Sequence, residues 1–533
     1  MYYVLCTISP VSAVTDFSTS FDSTYIFDQS GNAQVTHLIE IKNNLAHLYT
    51  TVYSLAIRSS ELTNITTSVN EKNVTPQIET TNNLTNIHIT APDPKIGKEQ
   101  INLFKISYAT PSFAEKIGNT YALTLPRAQK GNEAESFVRR IEVPESYPPL
   151  SHSTIPPQST IEENGMRSYV FVGAGNVNIT LLFGDQVTYQ LSLGYDLKNP
   201  TGKTGPTEIA LPPDTPYQQV ILDSIDPAPN EIVLDQDGNW LARYELGYLE
   251  KKHVTARLYV TISPSPINYD PSTSLPVKTD KYWERNDQIS SLAHQLKTPK
   301  NIYQYLLDNF SYDYSKIYAN QRLGAQEALK NPSSAICNEF TDTFIALSRT
   351  LNIPARSIIG YAYSNNDSLR PLGQSTDVLH SYPEYYDPEH KLWVSIDPTW
   401  GHTTGGVNYY DRLDFSHIAF VRLGLESEYP LPPGSYRDDL SVKQVEVSVA
   451  SDAPTTSPQI SEVNGFLVNT GNAAIINQDG ITYLPPYGKT LSIQQFPSTS
   501  SPKKVVGYIL LIICAILFLK FLRPWRRFMR PNT

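Results

Sequence analysis

Three cysteines in 533 residues leave almost no material for disulfide bonding. Charge is sparse too: Asp, Glu, Lys and Arg make up 18% of the chain, against 40% hydrophobic residues. That balance excludes a chain disordered by composition and argues against an all-helical protein rich in Lys and Glu. No group of His, Cys, Asp and Glu has zinc spacing and no glycine-rich phosphate loop occurs, so neither a metal nor a cofactor is expected. Asp235-Gln236-Asp237-Gly238 lacks the further acidic ligands of a calcium loop and reads as a turn. Acidic residues are missing altogether from the last stretch, 503–533, which carries Lys503, Lys504, Lys520, Arg523, Arg526, Arg527 and Arg530. Residues 1–502 then hold 35 basic against 52 acidic residues, a body that repels a polyanion, so nucleic acid is excluded as a partner.

What the sequence has instead is length, aromatic and proline content, and one long apolar run. With 533 residues, 34 Tyr and 40 Pro, it predicts several domains dominated by strands and turns. Residues 505–522 are apolar except for Lys520, about the length that spans a hydrocarbon core, with Trp525 placed as an interfacial anchor. Five basic residues follow or end this run and two precede it, so the expected topology is single-pass, with a transmembrane helix at 503–522, a cytoplasmic basic tail at 523–533 and the body outside. Residues 1–13 read as a truncated signal peptide: an apolar stretch Tyr2 to Ile8 and a small-residue site at Val11-Ser12-Ala13, without a basic start. Cys6 falls in that segment and Cys514 in the expected span, which leaves Cys337 alone in an exported body, the pattern of a free thiol.

Along the body, residues 14–263 alternate apolar and polar side chains with period two, as in Ala33-Gln-Val-Thr-His-Leu-Ile-Glu-Ile41. A proline-rich stretch at 143–157 divides this region into an expected β-sandwich domain at 14–145 and a second β domain at 146–276, and a second proline-rich break occupies 264–276. Helical periodicity appears over 281–425. Thr298-Pro299 reads as an N-cap with proline at the first helical position, and Ile302, Tyr305, Leu306 and Phe310 share a face. Strand patterning returns at 441–496, an expected small β domain, with Asp479-Gly480 as a hairpin turn. The low-complexity segment 497–502 reads as a tether.

Residues 331–351 open with Ser333 and Ser334 as capping residues and then run helical, with an apolar stripe of Phe340, Phe344, Leu347 and Leu351. Cys337 stands in the first turn, where free N–H groups and the helix dipole favour a thiolate and can donate to a developing oxyanion. Downstream, Leu379-His380-Ser-Tyr-Pro-Glu-Tyr-Tyr386 and Leu392-Trp-Val-Ser-Ile-Asp397 read as a hairpin. Its pairing sets His380, at the start of one strand, beside Asp397, at the end of the other, so that a carboxylate can orient an imidazole. His390 in the turn and His402 beyond Asp397 are weaker candidates, and Arg349 and Arg356 read as structural, pairing with loop carbonyls or acids.

This arrangement resembles the transglutaminase-like superfamily. The resemblance rests on Cys337 opening a helix, Ser348-Arg349-Thr-Leu-Asn-Ile353-Pro354-Ala355-Arg356 ending it, His380 beginning a strand, and Trp393-Val-Ser-Ile-Asp397-Pro398-Thr399. It covers about residues 281–425 and implies a papain-like core with Cys337 as nucleophile, His380 as general base and acid, and Asp397 as orienting carboxylate. Ala335 stands where the family often has Gly, and Tyr382 where it usually has Trp; both bear on the groove rather than the chemistry. The fold expected is thus multidomain α+β: N-terminal β-sandwich domains, a papain-like transglutaminase core, a small C-terminal β domain and one C-terminal transmembrane helix. The function expected is a membrane-anchored extracytoplasmic cysteine acyltransferase or hydrolase acting on a protein, peptide or cell-wall substrate. A noncatalytic surface adhesion or scaffold protein is the alternative, and all three members of the triad being present weighs against it.

Overall fold

A computed structural model describes residues 16–450 apart from 82–83, 128–135, 174, 176, 268–269, 271, 273, 317–321, 364–378, 405–406 and 437–442, and further on the backbone of five short strands within 460–494. The expected signal peptide, transmembrane span and basic tail lie outside these residues. Among the described residues no helix is long and apolar enough to cross a membrane.

Period-two patterning builds the first layer pair. In Ala33–Asn43 the odd positions Ala33, Val35, His37, Ile39 and Ile41 are buried while their neighbours face outward. This strand lies inside an eight-stranded sheet ordered Ser159–Glu163, Met166–Val172, Ser136–Pro144, Phe17–Phe27, Ala33–Asn43, Ile101–Thr110, Thr63–Val69, Lys72–Val74. Its apolar face shares one core with side chains of a second sheet, ordered Leu150–Ser153, Ile179–Phe183, Thr120–Leu125, Ala114–Ile117. The expected boundary at 145/146 is therefore wrong: Ser136–Pro144 pairs in parallel with Phe17–Phe27, Met166–Val172 extends the same sheet, and the first sandwich runs on to Phe183. The proline cluster is a packed crossing between sheets, where Tyr147 stacks on Tyr121 at 3.6 Å and its hydroxyl donates to the Asp28 carbonyl. A crossing needs no ladder N–H, so it tolerates proline as well as a free linker does.

The second sandwich pairs Val187–Lys198 with Lys251–Ile262 along their whole length. That sheet is ordered Gln218–Asp226, Lys251–Ile262, Val187–Lys198, Val445–Val449, and the sheet facing it Gly205–Leu211, Trp240–Leu246, Glu231–Leu234, Ser492–Gln494. Two strands of the expected C-terminal β domain thus complete this sandwich: Val445–Val449 pairs with Tyr189 to Leu193, and Ser492–Gln494 with Glu231 to Val233. Only Ile460–Val463, Phe466–Asn469, Ala474–Asn477 and Gly480–Tyr483 form a sheet of their own. A strand whose partner lies far back in the chain carries no local mark of that pairing.

Between these strands sits the helical core, with α1 (Asp287–Leu296), α2 (Pro299–Asn309), α3 (Ala325–Lys330), α4 (Cys337–Thr350) and α5 (Pro398–Thr403) against an antiparallel sheet ordered Leu392–Ser395, His380–Asp387, Ala355–Ala362, His417–Leu423. Thr298 caps α2, its hydroxyl accepting from the Asn301 N–H at 3.2 Å. The helix α4 is buried nearly all round, not only along the Phe340, Phe344 and Leu347 stripe. Its buried acid Asp342 is met, accepting from the Trp283 indole at 2.8 Å and from Arg322 Nε at 2.8 Å, while the hydroxyls of Thr341, Thr343 and Ser348 are buried without a hydrogen-bond partner. Ser333 and Ser334 do not cap it, because Pro332–Ser334 forms a separate 3-10 turn and α4 starts at Cys337. Glu339 takes over from within the helix, accepting the Ile336 N–H at 3.0 Å and the Leu323 N–H at 2.9 Å.

Core and second sandwich are fused. Ala210, Val233 and Leu241 pack into the helical core. Asp237 Oδ2 accepts from the N–H groups of Gly424 and Leu425, both at 2.9 Å, so the turn at 235–239 docks the sandwich onto the core. From the second proline-rich break, Asp270 pairs with Arg356 at 2.8 Å and Arg422 at 3.2 Å, while Arg356 also pairs with buried Glu384. Arg349 donates to the carbonyls of Ala355, Lys278 and Gly424 at 2.8, 2.6 and 2.7 Å. Both arginines pair with carbonyls or acids, the structural role expected of them.

Candidate active site

Three separate stretches of chain meet at the N-terminus of α4. Cys337 is its first residue, 6% exposed, and by position its backbone N–H has no partner within the helix. His380, fully buried, opens the neighbouring strand His380–Asp387. Asp397, also fully buried, is not the last residue of a strand: Leu392–Ser395 stops two residues earlier, and Asp397 caps α5, with Oδ1 accepting the Trp400 N–H at 3.0 Å. The other carboxylate oxygen, Oδ2, stands 2.7 Å from His380 Nε2. Nδ1 of His380 has no hydrogen-bond partner, and Cys337 is near enough to the imidazole to raise its proton affinity.

The strand Ala355–Ala362 lies between those that begin at His380 and His417. His380 lies opposite Gly360 in the strand Ala355–Ala362, and at that point the pairing of Ala355–Ala362 with His417–Leu423 slips by one residue. A Cβ on Gly360 would collide with the Ile418 carbonyl oxygen, so only glycine lets the two strands approach there.

Electrostatics couple the three groups. Burial by itself would push the His380 imidazole down, but the Asp397 charge and hydrogen bond and the adjoining Cys337 carry it up to about 9. Burial would raise the Asp397 carboxyl, yet His380 and His417 hold it well below the usual carboxylate range. Nearby, burial keeps the Tyr312 hydroxyl protonated far above its ordinary range, with the Cys337 charge adding to the effect. A thiol at a helix N-terminus, an imidazole near it and a carboxylate bonded to the imidazole are the kind of set able to attack a carbonyl carbon and protonate the group that leaves.

Residues 284–398 match the model of the transglutaminase-like superfamily. The chain carries a transglutaminase-like domain. None of the curated proteins matches the chain. Among solved structures, a candidate cysteine protease from Cytophaga hutchinsonii matches at 15% identity and a TM-score of 0.29, over 50% of this chain and 99% of that one. The periplasmic domain of TgpA from Pseudomonas aeruginosa matches at 14% identity and 0.23, over 42% and 92% of the two chains. The M1 zinc metallopeptidase from Deinococcus radiodurans matches at 11% identity and 0.22, over 37% and 45%. At these scores the likeness says nothing about chemistry.

Within the transglutaminase-like domain the three residues expected from sequence are together, and a fourth joins them. His417, the first residue of His417–Leu423, places Nε2 3.0 Å from the same Asp397 oxygen and Nδ1 2.8 Å from Asp414 Oδ1. Sequence reasoning overlooked it, although Asp414-Phe415-Ser416-His417 leads into an apolar strand much as the segment before His380 does. His390 is exposed and pairs with Asp387, and His402 donates from Nδ1 to the Leu307 carbonyl at 3.1 Å, tying α5 to α2. Neither reaches the site. His380, Asp397 and His417 bring donor atoms within 4.8 Å of one another, a grouping that no sequence spacing betrays. Two ligands sharing one zinc at 2.0–2.2 Å stand roughly 3.3 Å or more apart, whereas Asp397 Oδ2 and His380 Nε2 are 2.7 Å apart, close enough that a proton lies between them.

Proposed function

We propose that the protein is a thiol enzyme of the acyltransferase or hydrolase type, displayed outside the cell on a C-terminal membrane anchor. Cys337 Sγ attacks a carboxamide or peptide carbonyl. The C–N bond breaks, His380 passes its proton to the departing ammonia or amine, and a thioester remains on Cys337. An incoming amine or water, giving up a proton to His380, then forms the new bond to the acyl carbon and releases the thiol. Asp397 keeps the His380 Nε2 proton directed away from Cys337 and offsets the imidazolium charge. Free N–H groups at the start of α4 are the donors available to the oxyanion. One observation carries this reading: Asp397 Oδ2 and His380 Nε2 at 2.7 Å, both buried, with the buried free thiol of Cys337 near enough to the imidazole to raise its proton affinity.

The proposed substrate class is protein, peptide or cell-wall material. The anchor rests on residues 505–522 and the basic residues around them, whose distribution supports a transglutaminase-like domain on the outside. The test is alkylation of the full chain with iodoacetamide across pH, together with a screen of glutamine-containing peptides and cell-wall fragments for ammonia release or amine incorporation. Rapid alkylation of Cys337 at neutral pH that falls sharply in His380→Ala is the expected result. An ordinary thiol profile, unchanged in His380→Ala, would sink the enzyme reading and leave an adhesion or scaffold role.

A further inference from the structure

Asp397 answers to two imidazoles, and the reaction outlined above uses one. His417 is as deeply buried as His380, with its side chain 1% exposed. Both of its ring nitrogens face carboxylates: Nε2 meets Asp397 Oδ2 at 3.0 Å and Nδ1 meets Asp414 Oδ1 at 2.8 Å. A neutral imidazole has one N–H, so two carboxylate acceptors on one ring call for the doubly protonated cation. Asp414 is itself fixed, accepting from the Ser416 N–H at 2.8 Å and from the Tyr409 hydroxyl at 3.2 Å. Trp400, Tyr382 and Tyr409 close around the ring, their centroids 4.7, 5.2 and 5.8 Å from it.

We propose that His417 is a positioning residue of the thiol site: a standing imidazolium that clamps the orienting carboxylate and, by sharing its oxygen, limits how tightly His380 holds its proton. This rests on Cys337 and His380 being the reacting pair. An oxygen already accepting from a cation is a poorer acceptor for a second donor, and the His417 charge repels a proton on His380. Without it, a buried Asp397 facing His380 alone would hold the proton that His380 must pass to the leaving amine. The groups facing this chain of charges are Cys337 from α4, His380 and Tyr382 from the strand His380–Asp387, Asp397 at the cap of α5, and Tyr303 from α2. Asp414 and Tyr409 face it from the segment before His417, and Glu115 of the first sandwich acts on Tyr409. Burial would lower the His417 imidazole, but Asp414 and Asp397 raise it to about 10, so it stays charged where His380 exchanges its proton.

The experiment uses the full chain and follows Cys337 alkylation by iodoacetamide against pH in wild type, His417→Gln and Asp414→Asn. Gln keeps a donor for Asp397 but carries no charge, and Asp414→Asn leaves His417 in place while removing the partner that keeps it charged. Both should move the alkaline inflection, where His380 loses its proton, upward by about one pH unit. A folded variant with an unmoved inflection overturns the proposal, because a residue that merely braces the fold would change the melting temperature and not this limb. Should neither variant fold, histidine-selective 15N NMR of wild type decides: His417 protonated on both nitrogens at pH 8 is required, and a neutral His417 overturns the idea. Failure of the thiol reading looks different, since wild type itself would then show no inflection that His380→Ala removes.

Discussion

Asp397 divides its two oxygens between a backbone and a pair of side chains. Oδ1 caps α5 through the Trp400 N–H, and Oδ2 takes the Nε2 atoms of His380 and His417. One carboxylate thus meets both a backbone N–H at a helix start and two imidazoles. The two roles can be separated by substitution. Asp397→Asn can keep a carbonyl oxygen at the cap but sets an NH₂ group against the imidazoles, and should cost roughly three to four orders of magnitude in turnover or in Cys337 reactivity at neutral pH. Asp397→Ala should lose the same activity and, in addition, about 1 kcal/mol of stability through the lost cap. Urea unfolding alongside alkylation kinetics checks both, and equal stability in the two variants would remove the capping role.

At the scale of elements, α4 is held by polar contacts at both ends as well as by its apolar face. Glu339 ties its start to Leu323, Asp342 binds Trp283 and Arg322, and Arg349 gathers three carbonyls at its end. Next to it, Arg356 is fully buried between Glu384 of the adjacent strand and Asp270 of the proline-rich connection. Removing one member of such a buried set strands the others without compensation. Arg356→Met is therefore expected to cost about 3–5 kcal/mol, measured by urea unfolding, while activity per folded molecule is largely retained. A loss under 1 kcal/mol would mean that water already reaches this cluster.

At the scale of the whole molecule, the chain closes on itself. Val445–Val449 returns to pair with Val187–Lys198, which otherwise would present an open edge carrying the core residues Tyr189, Leu191 and Leu193. A chain ending at residue 440 should therefore expose that edge and self-associate, whereas one ending at 450 should remain better behaved, a contrast that size-exclusion chromatography reads directly. Equal monodispersity of the two would show the returning strand to be dispensable. The fusion of second sandwich and helical core through Asp237 and Asp270 also means that the transglutaminase-like segment does not stand as a separable module: Arg422, in its last strand, donates to the Asp237 carbonyl at 3.1 Å.

By itself the sequence determined whatever depends on local order along the chain. Period-two alternation marked the strands before residue 263, Thr298-Pro299 marked the start of α2, and a lone cysteine opening a helix, a histidine opening a strand and Asp-Pro-Thr after the next pointed to Cys337, His380 and Asp397 as a candidate site. Tertiary structure alone decided which distant segments share a sheet, and so where the domains end. Proline marks a break in hydrogen bonding without telling a free linker from a packed crossing, and strands such as Ser136–Pro144 and Val445–Val449 find partners that no local pattern names. It also decided that His417 belongs to the site. A histidine three residues after an aspartate is unremarkable in one dimension, and it becomes a second hold on Asp397 only because its strand and that of His380 flank the same strand, Ala355–Ala362.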